Sequence, residues 1–176
     1  MRISSKQGFT LIELLVYIVM TSLLLITLTG LVMNIFNARR HIQASHLVQQ
    51  NARFITNVLT AKIHDAVRLE DVQPAAEGVH FYLSDTERFS IELSDTDLLY
   101  REAIDSGSGF PEQSSVTPVR LNNQAVRVSS YSLRLFNDDQ GNSNRGIWNS
   151  FILETGNSTI PSSYSRQQFR TFISLH

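Results

Sequence analysis

Between Glu13 and Arg39 the chain carries no charged residue. Leu14 to Ala38 is an uncharged stretch of 25 residues, most of them Leu, Ile, Val, Met, Tyr or Phe. As an α-helix rising about 1.5 Å per residue it covers roughly 38 Å, against about 30 Å of bilayer hydrocarbon. A soluble domain rarely hides a helix that is apolar on every side, so the stretch reads as a membrane span. A cleaved secretory signal has an apolar core of only about 7–15 residues ending at a small-residue site. Here Thr27-Leu28-Thr29-Gly30 is followed by more apolar sequence. Bulk averages conceal this segregation: 176 residues, 42% hydrophobic, 18% charged and a net charge of −1 describe an ordinary globular chain. The absence of cysteine excludes disulfides, thiolate metal sites and a cysteine nucleophile. With 15 basic against 16 acidic residues, no bulk field draws the chain onto nucleic acid.

The segment before the span is short and polar, with Arg2 and Lys6 basic and Gly8 at its end. Phe9-Thr10-Leu11-Ile12-Glu13-Leu14-Leu15 follows, placing an acid one turn into an otherwise lipid-compatible helix. A charge at the centre of a span costs about 2.5–3.5 kcal/mol on insertion scales, so such a carboxylate points to a function. The string Lys6-Gln7-Gly8-Phe9-Thr10-Leu11-Ile12-Glu13 resembles the class III signal of type IV prepilins and type II secretion pseudopilins. That resemblance implies cleavage between Gly8 and Phe9 by a prepilin peptidase on the cytoplasmic side, and N-methylation of Phe9 by the same enzyme. Glu13 then becomes the fifth residue of the mature chain.

The residue chemistry fits these roles. Gly8 offers a peptidase cleft a backbone without a side chain. The new α-amine, with a reference pKa of about 7.7–8, is cationic at neutral pH, and methylation keeps it protonatable. It can then pair with Glu13 of a neighbouring subunit in an apolar environment, where pairing offsets desolvation and specifies axial register. Glu13 is therefore expected to set register in assembly, with no catalytic role. Arg39 and Arg40 beyond the span balance the basic leader, so counting positive charges does not decide orientation. The resemblance implies a cytoplasmic leader and an extracytoplasmic head in a single-pass inner-membrane protein. Removal of Arg2 and Lys6 from the 15 basic residues leaves 13 against 16 acidic, a mature charge of −3.

Beyond Arg39 the pattern turns amphipathic: Leu47, Phe54 or Ile55, Val58, Leu59, Ile63, Ala66 and Val67 recur at helical spacing. A helix is expected from Phe9 to Glu70, weakened locally at Gly30 and ended by Val72 to Gly78. Strands are expected at Val79–Leu83, Phe89–Leu93 and Leu98–Arg101, separated by Ser-Asp-Thr turns, and Glu102–Pro118 reads as a surface loop. Further strands are expected at Val119–Leu121, Ala125–Phe136, Ile147–Glu154 and Phe169–Leu175. The fold class is α+β, a long N-terminal helix packed against an antiparallel β-sheet head, as in pilins. Its expected parts are a leader at 1–8, a transmembrane segment at 9–38, an amphipathic segment at 39–73 and a β-rich head at 74–176. Asp97-Leu98-Leu99-Tyr100-Arg101 and the closing Phe169 to Leu175 resemble larger minor pilins and the J-type minor pseudopilin. The bulky head and the lack of cysteine favour a minor subunit over a major one.

Other chemistry is weakly supported. His41, His46 and His64 do not share one helical face within a turn and read as surface residues. Ser106-Gly107-Ser108-Gly109 lacks the spacing of a nucleophile elbow and reads as a linker. The oxygen-rich Asn137 to Asn144 lacks the final glutamate of an EF-hand loop and reads as a polar hairpin turn. Asn157-Ser158-Thr159 is a glycosylation sequon of little weight in a prokaryotic setting. No enzyme activity, cofactor or metal is expected. The favoured reading is a structural subunit at or near a filament tip that primes assembly. Its partners would be the prepilin peptidase/N-methyltransferase, other minor and major pilins or pseudopilins, an inner-membrane assembly platform and membrane lipid. The alternative is a pilus-tip binding subunit, an adhesin or a DNA-uptake pilin, which clustered arginines with exposed aromatics on the head would favour. Arg120, Arg127 and Arg134, seven residues apart, do not all face one side of a single strand, and Arg145, Arg166 and Arg170 are scattered. Nucleic acid is therefore not expected as a partner.

Overall fold

The computed structural model describes residues 10–70, 79–136 and 146–174. Helix α1 spans Leu11–His64. Eight strands follow: β1 (Arg68–Glu70), β2 (Val79–Tyr82), β3 (Glu87–Ser94), β4 (Asp97–Ile104), β5 (Val119–Arg120), β6 (Val126–Phe136), β7 (Gly146–Thr155) and β8 (Ser165–Ser174). Strands β1 to β5 form one sheet in sequence order and β6 to β8 a second, with every pairing antiparallel. The chain divides into two compact units, Met1–Arg40 and His41–His176. The fold is α+β, as expected, an apolar helix with antiparallel sheets.

Within the second unit, α1 buries Ala44, Val48, Asn51, Ala52, Ile55, Leu59 and Ile63, a stripe at spacings of three and four residues. This stripe enters one core with Phe81, Phe89, Ile91, Leu98 and Tyr100 of the first sheet and Val126, Val128, Ile147, Phe151, Leu153 and Ile173 of the second. Phe81 and Phe89 are register partners and stack with ring centroids 4.6 Å apart. Ile55, Leu59 and Ile63 are buried as expected, with Ile55 rather than Phe54 facing inward; at the start of the stripe Val48 is buried in place of Leu47, which is exposed. Both positions fit the same periodicity, and the sheets select between them.

Two asparagines fasten this core. Asn122, 4% exposed, accepts the Leu98 N–H through Oδ1 at 2.8 Å, and its Nδ2 donates to the Val126 carbonyl at 2.6 Å. One amide thus joins the two sheets. Asn51 on the helix accepts the neighbouring Asn123 N–H at 2.8 Å and donates to the Leu47 carbonyl. A direct backbone bond, Val128 N–H to the Thr96 carbonyl at 2.8 Å, also crosses between sheets.

Several boundaries differ from the expected ones. The helix stops at His64, six residues before Glu70. The Val67 N–H instead donates to the Tyr82 carbonyl, and Arg68–Glu70 pair with His80–Tyr82 as β1. The open edge of β2 captures a segment whose apolar spacing also suits a helix. Glu102–Ile104, expected in a loop, extend β4 because β3 begins at Glu87 and offers partners to Ile104. Strand β8 begins at Ser165, four residues before Phe169, with Ser165 paired to Thr155. The helix-ending segment Val72–Gly78 and the hairpin candidate Asn137–Asn144 lie outside the described residues.

A polar cluster ties the helix end to β4. Lys62 Nζ lies 2.8 Å from Glu102 Oε1, which also accepts the Tyr100 hydroxyl at 2.9 Å. The hydrogen bond from Lys62 holds the Glu102 carboxyl below the usual range, and the Lys62 ammonium is raised by the same bond. Burial, aided by Glu102, pushes the Tyr100 phenol up to about 12.

Two outcomes follow from this packing. Asn122→Ala leaves the Leu98 N–H and Val126 carbonyl without their partner and is expected to cost about 1–3 kcal/mol of unfolding free energy, read by Trp148 fluorescence in urea. Glu102→Gln is expected to cost only about 0.5 kcal/mol at neutral pH, because both partners are partly solvated. Since the folded Glu102 pKa is depressed, the difference from wild type disappears as pH falls through that lowered value. Since Lys62 is raised, the difference also fades as pH rises through the folded lysine value above 10.5.

Candidate processing and assembly segment

Thr10 stands just outside α1 and acts as its cap. Its Oγ1 accepts the Glu13 N–H at 3.3 Å, and its carbonyl accepts Glu13 N–H at 3.1 Å and Leu14 N–H at 3.2 Å. Thr10-Leu11-Ile12-Glu13 has the Thr-x-x-Glu spacing of a capping box, of which the threonine half is formed. Glu13 lies in the first turn of α1, where the free N–H groups and helix dipole favour a negative charge. The capping role of Thr10 escaped the sequence reading, although the spacing of these residues carries its signal. Gly8 and Phe9, the expected cleavage and methylation residues, lie outside the described residues.

From Glu13 onward the helix presents apolar side chains on all sides. Leu15, Val19, Leu23, Ile26 and Met33 each remain at least half exposed within the chain. The threonine and serine hydroxyls in this stretch need no water. Thr21 donates to the Tyr17 carbonyl at 2.7 Å, Ser22 to Ile18 at 2.7 Å, Thr27 to Leu24 at 2.9 Å and Thr29 to Leu25 at 2.8 Å. Each returns to the preceding turn, which removes the main obstacle to placing threonine or serine in hydrocarbon. Gly30 continues the helix without interruption, and apart from the helix's own backbone and its chain neighbours nothing lies within 4 Å of where its Cβ would stand. The stretch therefore combines sufficient length, no charge and internally satisfied Thr and Ser hydroxyls in a helix with none of its apolar window buried.

The other candidates separate. His41 and His46 are exposed, and His64 sits 3.9 Å from Asp65 Oδ1. Among the described residues no three His, Asp or Glu side chains gather as a metal-binding group. Ser106–Gly109 is a turn organised by Asp105, whose Oδ1 accepts the N–H groups of Gly107 at 2.7 Å and Gly109 at 2.9 Å. Both glycines have φ near +98°, a conformation that suits residues without Cβ. Asn157 Oδ1 accepts the Thr159 N–H and hydroxyl, closing a local turn. His80, which the sequence reading passed over, is buried on β2.

One expectation about the head is corrected. Arg127 and Arg134 lie on the same side of β6, despite an odd separation. The register shifts between Val128 and Ser130, so one extra residue reverses the side-chain alternation. Val126 and Val128 are buried before the bulge, whereas Ser130, Ser132 and Arg134 are exposed after it. Arg120 is apart from them, on β5, bonded to Asp97 at 2.6 Å.

A family model for the prokaryotic N-terminal methylation motif matches residues 3–29. The matched region contains Gly8, Phe9, Thr10 and Glu13 and extends into the charge-free helix. No curated protein and no solved structure matches the chain. The motif and the helix behind it together support a class III signal peptide and a single-pass membrane anchor of the prepilin type.

Proposed function

We propose that this chain is a minor subunit of a type IV pilus or a type II secretion pseudopilus, acting at or near the filament tip to prime assembly. The observation that carries this reading is the methylation motif running directly into a long, charge-free helix that is apolar on all sides. In this reading residues 1–8 are the leader, 9–38 cross the inner membrane, 39–73 form the amphipathic segment and 74–176 the head. The leader faces the cytoplasm and the head lies outside it. The prepilin peptidase cleaves after Gly8 and methylates Phe9. The protonated Phe9 amine of one subunit then meets Glu13 of another within an apolar bundle. Two opposite charges that are each costly alone in a low dielectric become tolerable together, and only at one axial offset. The role is structural, and the partners are other pilins or pseudopilins and the membrane assembly platform.

Co-expression with a prepilin peptidase, followed by intact-mass and N-terminal mass spectrometry, is expected to show a chain beginning at N-methyl-Phe9. An uncut chain, or a cut elsewhere, contradicts the reading. Glu13→Ala is expected to leave cleavage unchanged while reducing incorporation into filaments at least about 10-fold, given the cost of an unpaired buried charge. Filament incorporation at the wild-type level would remove the register role.

A further inference from the structure

The outer face of the β6–β8 sheet brings arginines and aromatics together. Register partners place Arg134, Trp148 and Phe172 in one row across the three strands. Trp148 is 47% and Phe172 45% exposed, with ring centroids 5.2 Å apart. The adjacent row is Ser132, Ser150 and Arg170, whose small serines leave a shallow concavity of about 450 Å³ beside Trp148. At the far end Arg127 and Arg166 flank Glu154. The bulge in β6 makes this cluster possible, because without it Arg127 and Arg134 would point to opposite sides of the sheet.

The charge on this face departs from that of the chain as a whole. Its described residues include four arginines and one carboxylate, Glu154, which Arg166 engages at 3.0 Å. Arg127 donates to the Gly156 carbonyl. Arg134 and Arg170 form no ion pair with any described residue. Asp138 and Asp139 follow in the β6–β7 connection, outside the described residues. A basic face in a chain of net charge −1 calls for an anionic partner.

The geometry narrows that partner further. Neighbouring strands are about 4.8 Å apart and same-face residues about 6.8 Å apart along a strand, so Arg134 and Arg170 lie roughly 12 Å apart with Trp148 beside their connecting line. Arginines whose backbones stand that far apart can each reach a different phosphate of one strand, and an exposed indole beside them offers a stacking surface to an unpaired base. A sheet face with no projecting helix or ribbon does not enter a duplex groove. We propose that the outer face of β6–β8 binds single-stranded nucleic acid through Arg134 and Arg170 on phosphates and Trp148 on a base. This inference is independent of the N-terminal reading, since it rests only on residues of the second unit.

The test uses the full chain in detergent micelles and a fluorescent single-stranded mixed-sequence DNA of about 20 nucleotides, read by anisotropy at about 50 mM salt. The same DNA as duplex, and heparin as a polyanion without bases, are the comparison probes. Saturable binding is expected to be tightest for the single strand. Arg134→Ala/Arg170→Ala is expected to weaken it at least about 10-fold and to flatten the log–log salt slope by about 1.4. Trp148→Ala is expected to weaken it at least about 5-fold, with Trp148→Phe restoring most of the affinity. Urea midpoints equal to wild type establish that the variants are folded, and Arg53→Ala on the helix is expected to bind as wild type. Absence of saturable binding, binding at the wild-type level by the Trp148→Ala and arginine variants, or tighter binding of duplex or heparin would each overturn the proposal.

Discussion

A charge-free helical stretch must find an apolar solvent for every side, and this requirement governs how the rest of the chain is used. Leu14 to Ala38 has no polar face to turn toward water, and its threonine and serine hydroxyls are already spent on carbonyls one turn back. Burial within one small domain cannot supply that environment, because the chain's own core is committed elsewhere. A bilayer, and later a bundle of like helices, can. The acid at Glu13 and the cap at Thr10 then fall at the start of the apolar stretch, where exposed N–H groups make a carboxylate acceptable and where cleavage after Gly8 would generate a new N-terminal amine one residue before the cap.

Past Arg40 the same helix meets different physics. A single stripe from Ala44 to Ile63 is covered by two antiparallel sheets, whose inner faces supply Phe81, Phe89, Phe151 and Leu153. Hydrophobic burial sets the gross arrangement, and polar contacts fix its register. Asn122 and Asn51 convert loose apolar contact into defined positions by satisfying backbone groups that would otherwise be stranded. The bulge in β6 has a comparable role on the opposite surface. One extra residue keeps Val126 and Val128 in the core while gathering Arg127 and Arg134 on the outer face.

Period and composition made the architecture legible, because a 25-residue charge-free run and alternating strands have few physical solutions. Phe81, Phe89 and Ile91 were readable as core for that reason. What escaped depended on choices that local pattern leaves open. Val48 and Leu47 fit the same helical period, and only the sheet decides between them. Val67 to Glu70 suit a helix or a strand until the edge of β2 competes for their N–H groups. Asn122 reads as an ordinary turn residue until the strands it joins are known. The arginine face is hidden in sequence because parity counting assumes an unbroken strand. The motif from Lys6 to Glu13 was legible for another reason: uncommon requirements fall within a few residues, a residue without a side chain and an acid at the head of an apolar run.

One helix thus serves two solvents, lipid before Arg39 and its own sheets after Ala44. The natural absence of cysteine allows a single-cysteine scan of α1 from Val16 to Asn57, with an environment-sensitive fluorophore on the chain in liposomes and spin-labelled lipids as quenchers. The account predicts lipid quenching at every position from Val16 to Phe36, deepest near the middle and without helical periodicity. It predicts no lipid quenching from Ala44 to Asn57, with burial there following a period of about 3.6 residues. Periodic protection from lipid within Val16 to Phe36, or no lipid access at all, would contradict it.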